Sequence, residues 1–202
     1  KHRIGIDHQD DYAHLHDFVA RVGEAGCGTF IVHARKAWLQ GLSPRENREK
    51  PPLCHEVVQR LKQDFPDFGI VTNGGLRTTD DMARQLPHVD GVMIGRAAYE
   101  RPWVMAEAER RFLGDHPGLL DRRGVVERYM TYMERELARG VRLQAMARHL
   151  LGLFQGLPGA RAWRRHLSEN APRPGAGVEV IREALEPVAP NPEASPVLEA
   201  DG

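Results

Sequence analysis

Short apolar runs alternate with amphipathic helical segments over the first hundred positions. The predicted strands cover residues 3–6, 28–34, 69–72 and 90–94. The predicted helices cover residues 10–24, 55–65 and 78–86, where apolar side chains recur at helical spacing. Strands that alternate with helices and are apolar throughout are typical of a parallel sheet covered on both faces. The pattern therefore predicts an α/β fold built on four parallel strands.

Polar residues or glycines follow each of these strands, as they do at the carboxyl ends of the strands of a (β/α)8 barrel. A closed barrel of this type needs eight strands, and the pattern supplies half of them. Half a barrel would leave two open sheet edges, which natural proteins avoid. We therefore expect the C-terminal half of a TIM barrel, with the other strands encoded upstream of Lys1.

The pattern changes after about residue 124, where helical periodicity continues without a strand signal. The predicted helices here cover residues 125–138, 143–155, 159–168 and 177–186. Together they predict an all-helical bundle. The last segment, 187–202, is rich in Pro, Ala and Glu, and we expect it to be disordered. The predicted organisation is thus a partial barrel at 1–123, a helical domain at 124–186 and a tail.

Composition limits the classes of function without choosing one. The 202 residues are 41% hydrophobic and 28% charged with no formal net charge, which is ordinary for a soluble globular protein. No apolar run approaches the ~20 residues of a membrane-spanning helix, so we expect no membrane association. Cys27 and Cys54 are too few for a disulfide framework, and their spacing fits no zinc site. We expect a monomeric cytoplasmic protein without a metal, in which both thiols are inert.

Two consecutive strands end in a glycine motif, Asn73-Gly74-Gly75 and Gly95-Arg96. In many barrels of this class the last two loops after strands bind a phosphate group. Glycines let backbone N–H groups approach the anion, and an arginine adds charge-assisted hydrogen bonds. The alternative is that both motifs are tight turns without a ligand. The recurrence on neighbouring strands favours phosphate binding.

Cationic side chains alternate along the ends of the first two strands. Lys1 and Arg3 share one strand face, and His33 and Arg35 follow the same period of two. A cation inside a barrel requires an anionic or polar partner, and a histidine at a strand end can donate to a ligand or transfer a proton. The alternatives are a lysine exposed at the chain terminus and a structural histidine.

The helical part carries a basic segment between residues 139 and 173. Its cationic residues are Arg139, Arg142, Arg148, Arg161, Arg164, Arg165 and Arg173, with His149 and His166, and Glu169 is the only acid in the group. Three of the arginines, at 161, 164 and 165, fall on one face of a predicted helix. Such a face suits RNA phosphates, although a solvated helix face is the common alternative.

Several long stretches together resemble the tRNA-dihydrouridine synthases, most closely subfamily A. They are KHRIGID, FIVHARKAWLQGLSPRENREKPPL, NGG at 73–75, DGVMIGRAAY and RHLLGLFQGLPGARAWRRHLSENA. The resemblance extends from Lys1 to about Leu185. It implies an FMN-bound TIM barrel followed by a helical tRNA-binding domain. The implied activity is the reduction of uridine to 5,6-dihydrouridine at positions 20 and 20a of the tRNA D-loop, with NADPH as the reductant of FMN.

The resemblance also implies roles for individual residues. Flavin contacts are expected from Lys1 and His33, and phosphate contacts from Asn73, Gly74, Gly75, Gly95 and Arg96. Substrate-facing positions are Arg3 and Arg35, and tRNA contacts are expected at Arg45, Asn47, Arg48, Arg161 and Arg164. The family's catalytic cysteine lies in a Gly-Cys-Pro motif, which is absent from this sequence. We therefore expect the catalytic cysteine upstream of Lys1, and weak FMN binding and little or no turnover from this chain alone.

Two other functions remain open from the residues themselves. A barrel aldolase or isomerase acting on sugar phosphates would share the two glycine motifs but would not need a basic helical domain. A non-catalytic RNA-binding module would need the arginines of the helical domain but not the flavin. RNA binding that weakens steeply with salt would separate the first of these from an RNA-dependent function.

Overall fold

The computed structural model describes residues 1–114 and 121–188, and the chain divides into two compact units, Lys1–Arg96 and Ala97–Gly202. This boundary differs from the predicted one at 123/124. The reason is that Trp103 and the helix following it belong to the hydrophobic core of the helical unit. The change in sequence pattern near 124 therefore lies inside the second unit, not at its start.

The first unit contains a four-stranded parallel sheet, which confirms the predicted α/β fold. Its strands are β1 (His2–Arg3), β2 (Thr29–His33), β3 (Gly69–Asn73) and β4 (Gly91–Met93), in the spatial order β1-β2-β3-β4. The register pairs Arg3 with His33, His33 with Asn73, and Asn73 with Met93. The carboxyl ends of all four strands therefore lie in one row.

The predicted first strand, 3–6, is wrong except at Arg3. After this residue the chain turns, because Ile6 and Gln9 exchange two backbone hydrogen bonds of 3.0 and 2.8 Å. Asp7 at the turn has a positive φ of 50°, which an aspartate tolerates better than most residues. The apolar pattern could not distinguish a short strand followed by a turn from a longer strand.

Helices cover the sheet at the predicted positions within a few residues. They are α1 (Tyr12–Glu24), α2 (His55–Asp64) and α3 (Thr79–Gln85), with 3-10 turns at Glu46–Arg48 and Leu86–His88. Asp11 caps α1 by accepting from the His14 backbone N–H at 2.8 Å. Thr78 and Asp81 form a capping box at α3. The apolar faces of α1 and α2 pack with β2 and β3 in one core cluster that includes Val19, Val32 and Leu61.

The described part of the second unit is helical. Its helices are α4 (Arg96–Glu100), which starts at the last residue of the first unit, α5 (Val104–Phe112), α6 (Arg122–Ala138), α7 (Leu143–Ala147), α8 (Ala160–Asn170) and α9 (Glu179–Leu185). The predicted helix 143–155 is too long, because the chain continues from Ala147 in successive turns. Gly152 packs so closely that a Cβ there would lie 1.8 Å from the Glu100 carbonyl oxygen. The sequence pattern predicted neither α4 nor α5.

The core of the helical unit centres on Trp163, which is fully buried beside Phe154 at a ring-centroid distance of 4.8 Å. Buried Arg122 donates to the Leu153 carbonyl at 3.1 Å, so its charge lies against a polar backbone group. Val188 is also buried, and its carbonyl accepts from Arg123 at 2.5 Å. The predicted disordered tail, 187–202, thus starts too early. The remainder of that prediction, 189–202, lies outside the described residues.

Candidate functional site

The row of strand ends brings together residues that are far apart in the chain. Lys1 Nζ donates to Asn73 Oδ1 at 2.9 Å, and Asn73 Nδ2 donates to the Met93 carbonyl at 2.7 Å. The Asn73 carbonyl in turn accepts from the Ala34 N–H at 2.8 Å. Burial, and then the charge of Arg3, lowers the pKa of Lys1. Asn73 therefore ties the ends of β2, β3 and β4 together and also accepts a hydrogen bond from the Lys1 ammonium.

The backbone after β3 is one that only glycines adopt readily. Gly74 and Gly75 have φ values of 110° and 71°. A Cβ at Gly74 would lie 3.2 Å from His33 Nε2, and one at Gly75 would lie 2.5 Å from Leu53 Cδ2. Asn73-Gly74-Gly75 therefore forms a bend that packs directly against the His33 ring. The approach of this backbone to a phosphate group stays a prediction.

His33 is held neutral by its surroundings. Burial, followed by the charges of Arg3, Lys1 and Arg35, lowers the pKa of His33 to about 4. Its Nδ1 atom is buried, and no atom of residues 1–114 or 121–188 forms a hydrogen bond with it. A neutral ring with unused hydrogen-bonding capacity, surrounded by three cations, fits a polar and anionic ligand better than a purely structural role.

Arg3 and Arg35, predicted to face the substrate, both anchor the loop between β2 and α2. Arg3 Nη1 donates to the carbonyls of Lys36 and Asn47, each at 2.9 Å. Arg35 Nη1 donates to the Pro51 carbonyl. Both cations thus shape the loop that borders the strand ends. Their contact with a substrate stays a prediction.

The loop between β2 and α2 is also closed from within by Asn47. Its side-chain amide accepts from the Trp38 N–H at 2.8 Å and donates to the Trp38 carbonyl at 2.6 Å. Both polar atoms of the amide are therefore engaged within the loop, whereas Arg45 and Arg48 on the same loop are exposed. The expected tRNA contact of Asn47 stays a prediction. The sequence pattern did not indicate the two hydrogen bonds between the Asn47 amide and the Trp38 backbone.

Gly95 and Arg96 follow β4, next to the strand end that contains Asn73. A Cβ at Gly95 would meet nothing within 4 Å, so the space beside this residue is open. Arg96 Nη1 contacts Glu49 Oε1 at 2.5 Å, and Arg45 Nε lies 3.9 Å from the same oxygen. Glu49 is a residue that the sequence analysis missed, because 47 positions separate it from Arg96 and no local pattern joins them.

The predicted arginine face exists on α8 in the helical unit. Arg161, Arg164 and Arg165 are exposed, while Trp163 on the opposite side of the helix is buried. No carboxylate among residues 1–114 and 121–188 forms an ion pair with any of these three arginines. Other cations of the predicted segment are engaged: Arg139 pairs with Glu136 at 3.0 Å, and Arg142 donates to the Pro172 carbonyl.

The depressed pKa of His33 predicts a pH dependence of stability. The unfolded chain, with a histidine pKa near 6.5, binds more protons than the folded chain between pH 6.5 and about 4. The free energy of unfolding should therefore fall as the pH is lowered through this window, with His33 contributing on the order of 1 kcal/mol, because solvent screens a half-buried group. Urea unfolding at several pH values should show this loss.

The matched variant for this prediction is His33→Gln, which keeps a polar side chain but cannot titrate. Its stability should depend less on pH between 6.5 and 4 than that of the wild type. Some slope will remain, because burial also lowers the pKa of His2 and His55. Parallel pH profiles for the wild type and the variant would contradict the assignment of a depressed pKa to His33.

Within the described ranges, no group of three or more His, Cys, Asp or Glu side chains could hold a metal ion. Over the same ranges, no helix is both long enough and apolar enough to cross a membrane.

Comparisons with known proteins give a consistent result. The sequence profile of the family described as dihydrouridine synthase matches residues 1–188. A tRNA-dihydrouridine(20/20a) synthase of Vibrio cholerae is 52% identical over 186 residues, which are 92% of this chain and 57% of that protein. Proteins of the same name from Shewanella oneidensis and Yersinia pestis are each 50% identical, over 93% and 95% of this chain and 56% of their own length. The chain thus spans a little over half the length of these relatives.

Proposed function

The chain belongs to the dihydrouridine synthase family, and from this premise we propose that it is the portion of a tRNA-dihydrouridine synthase that holds FMN and tRNA. The proposed substrate is the uridine at positions 20 and 20a, which the relatives' names state for those proteins. The observation that carries the proposal is the junction of Lys1, Asn73, Gly74 and His33 at adjacent strand ends. These groups suit a ligand that is both polar and anionic.

We also propose that the four parallel strands are the C-terminal half of a (β/α)8 barrel. The sheet supports this, because its strands follow chain order with helices between them. The relatives, of which this chain covers 56–57%, are long enough to contribute further strands. In such a barrel the carboxyl ends of the strands form the active-site face, and that is where the Lys1–Asn73 pair lies.

In the proposed site, Asn73, Gly74, Gly75, Gly95 and Arg96 hold the phosphate of FMN, and Lys1 and His33 face its ring system. The two glycines after Asn73 open the backbone N–H groups toward an anion. Asn73 fixes one donor direction of Lys1 and leaves the other ammonium hydrogens for the ligand. Bound FMN, reduced by NADPH, would supply the hydride that adds to C6 of the uridine.

The proton that C5 of the uridine requires must come from an acid, and neither cysteine of this chain suits that role. Burial raises the pKa of Cys54, which makes it a poorer acid. Cys27 is exposed just before β2, at the end of that strand opposite His33, and its thiol contacts the Thr29 carbonyl at 3.4 Å. We propose that the acid is the cysteine of a Gly-Cys-Pro motif outside this sequence, so this chain alone should have little turnover.

The tRNA would be held through its phosphates by the exposed cations of the two units. Arg45 and Arg48 extend from the loop that borders the strand ends, and Arg161 and Arg164 lie on α8. Exposed arginines suit phosphate contacts, which fix the position of a nucleic acid without reading its sequence. A uridine inside folded tRNA must leave its stack to reach the flavin. The contacts between these arginines and the phosphates would hold the surrounding RNA in place while the base is extruded.

A flavin titration tests the proposal. We expect weak but saturable FMN binding by the chain, and roughly tenfold weaker binding by Arg96→Gln, since one charge-assisted hydrogen bond to the phosphate is lost. Flavin fluorescence, followed by gel filtration and a visible spectrum, measures both affinities. Arg21→Gln, which removes an exposed cation paired with Asp17 on α1, should bind FMN as the wild type does.

Riboflavin distinguishes contacts with the flavin ring from contacts with the phosphate group. It lacks the phosphate group, so its affinity should be the same for the wild type and Arg96→Gln. An absence of saturable FMN binding by the wild type would refute the proposed cofactor site. Equal losses of FMN and riboflavin affinity in Arg96→Gln would place Arg96 away from the phosphate.

A further inference from the structure

The carboxylate of Glu49 lies on the cation that the proposed phosphate site requires. Glu49 Oε1 is 2.5 Å from Arg96 Nη1 and 3.9 Å from Arg45 Nε. The Arg96 and Glu49 side chains are 41% and 42% exposed, so a dissolved anion can reach the contact. An anion that binds Arg96 through the same nitrogen must compete with Glu49 for it.

The contact between Glu49 and Arg96 belongs to the same electrostatic environment as the strand ends. The pKa of Arg35, which follows β2, is lowered mainly by burial and then by the charge of Arg96, whereas Cys54 and Glu49 act in the opposite direction. Glu49 is therefore close enough to both arginines to offset part of their positive potential. A phosphate placed among these cations would meet the negative charge of Glu49 at short range.

The segment from Ser43 to Lys50 keeps its own structure without the contact to Arg96. Glu46 accepts from the Ser43 N–H at 2.9 Å and pairs with Lys50 Nζ at 2.6 Å. Asn47 holds Trp38 through two further hydrogen bonds. The Glu49 side chain takes part in none of these contacts, so it can leave Arg96 while the rest of the segment stays folded.

We propose that Glu49 is a built-in competitor of phosphate at Arg96 and thereby sets the affinity of the site for anions. Without an anion, Glu49 neutralises Arg96. When a phosphate group binds, it displaces the carboxylate, which retains Arg45 as its partner. This inference rests on the proposed phosphate site, and it adds a residue that lowers the affinity of that site by occupying its cation.

Inorganic phosphate is the probe, because it carries the charge of the ligand without the flavin ring. We expect Glu49→Gln to bind phosphate about three- to tenfold more tightly than the wild type, since an exposed ion pair and one like-charge repulsion are removed. Isothermal titration calorimetry at constant ionic strength measures the affinities. Circular dichroism verifies that the variant, whose side chain has nearly the same shape, is folded.

Asp17→Asn is the matched control, because it removes one negative charge from the same unit at an exposed pair on α1. Its phosphate affinity should remain within about twofold of the wild type, because exposed charges at a distance are screened by salt. If Glu49→Gln bound phosphate no more tightly than the wild type, or if Asp17→Asn produced the same gain, the competitor role would be refuted.

A double-mutant cycle with Arg96→Gln links the effect to the named contact. In the Arg96→Gln background, the gain from Glu49→Gln should be clearly smaller, because the ion pair is already absent and only the repulsion between the Glu49 carboxylate and phosphate is left to remove. A gain as large there as in the wild type would overturn the proposal, since Glu49 would then not act through Arg96. If the wild type and Arg96→Gln bound phosphate equally, the phosphate site itself would be refuted, which is distinguishable from a failure of Glu49 alone.

Discussion

Trp163→Ala should lower the free energy of unfolding of the helical unit by about 3–5 kcal/mol, the cost typical of a buried tryptophan replaced by alanine. The Trp163 side chain is fully buried, and its ring packs edge-to-face against Phe154. Its Nε1–H also donates to the Leu150 carbonyl at 3.0 Å, in the stretch of turns after α7. Urea unfolding followed by circular dichroism measures the loss.

Trp163→Phe separates the two contributions of this side chain. It keeps an aromatic ring against Phe154 but loses the hydrogen bond to Leu150, so its cost should be only about 1–2 kcal/mol. Both variants lose the hydrogen bond that holds Leu150, and the turns that follow it have few regular helical hydrogen bonds. The amide protons of this stretch should therefore exchange faster in both variants than in the wild type. A loss below about 1 kcal/mol for Trp163→Ala would show that the helical unit does not depend on this core.

The gathering of His33 and Asn73 could be expected from the sequence because parallel strands place their carboxyl ends at one edge of the sheet. Lys1 precedes β1, and its side chain reaches Asn73 from there. His33 and Asn73 each fall at or next to the end of a predicted strand, and the register pairs the two residues directly. The exposed face of α8 was predictable for a similar reason. Helical spacing alone decides which side of a helix Arg161, Arg164 and Arg165 share.

The contacts that complete the site depend on the loops, and local patterns do not encode them. Arg3 and Arg35 donate to loop carbonyls, contacts that the sequence did not indicate, and their contact with a substrate stays a prediction. The hydrogen bonds between the Asn47 amide and the Trp38 backbone were likewise not indicated by the sequence. Such pairings follow from the three-dimensional path of the loop, which forms only after the strands have brought its ends together.

The same limit applies to the shape of the helical unit. The periodic apolar residues of 143–155 predicted one helix, but the helix ends at Ala147 and the chain continues in turns, with the Gly152 backbone packed closely against Glu100. The position of Trp103 in the helical core likewise moved the unit boundary to residue 96/97. Tertiary packing, not local periodicity, accounts for the shorter helix and for the shifted unit boundary. Glycine contributes to such packing because it permits close contact between backbones.

Replacing Arg161, Arg164 and Arg165 together with glutamine should weaken the binding of a tRNA transcript roughly 100-fold at moderate salt. Each arginine that pairs with a phosphate releases counterions and contributes on the order of 1 kcal/mol or more. The three side chains are exposed on one face of α8, so they can contact neighbouring phosphates at once. The slope of log affinity against log salt should become shallower by about 3.

A second triple variant, of Arg128, Arg135 and Arg182, removes the same charge from exposed positions on α6 and α9. Arg135 contacts Glu136 at 3.5 Å and Arg182 pairs with Glu134 at 3.2 Å, so two of these cations are already partly neutralised. This variant should lose much less affinity and keep most of the salt slope. Equal losses in the two triple variants would mean that total charge, not the face of α8, governs tRNA binding, and the proposed interface would be wrong.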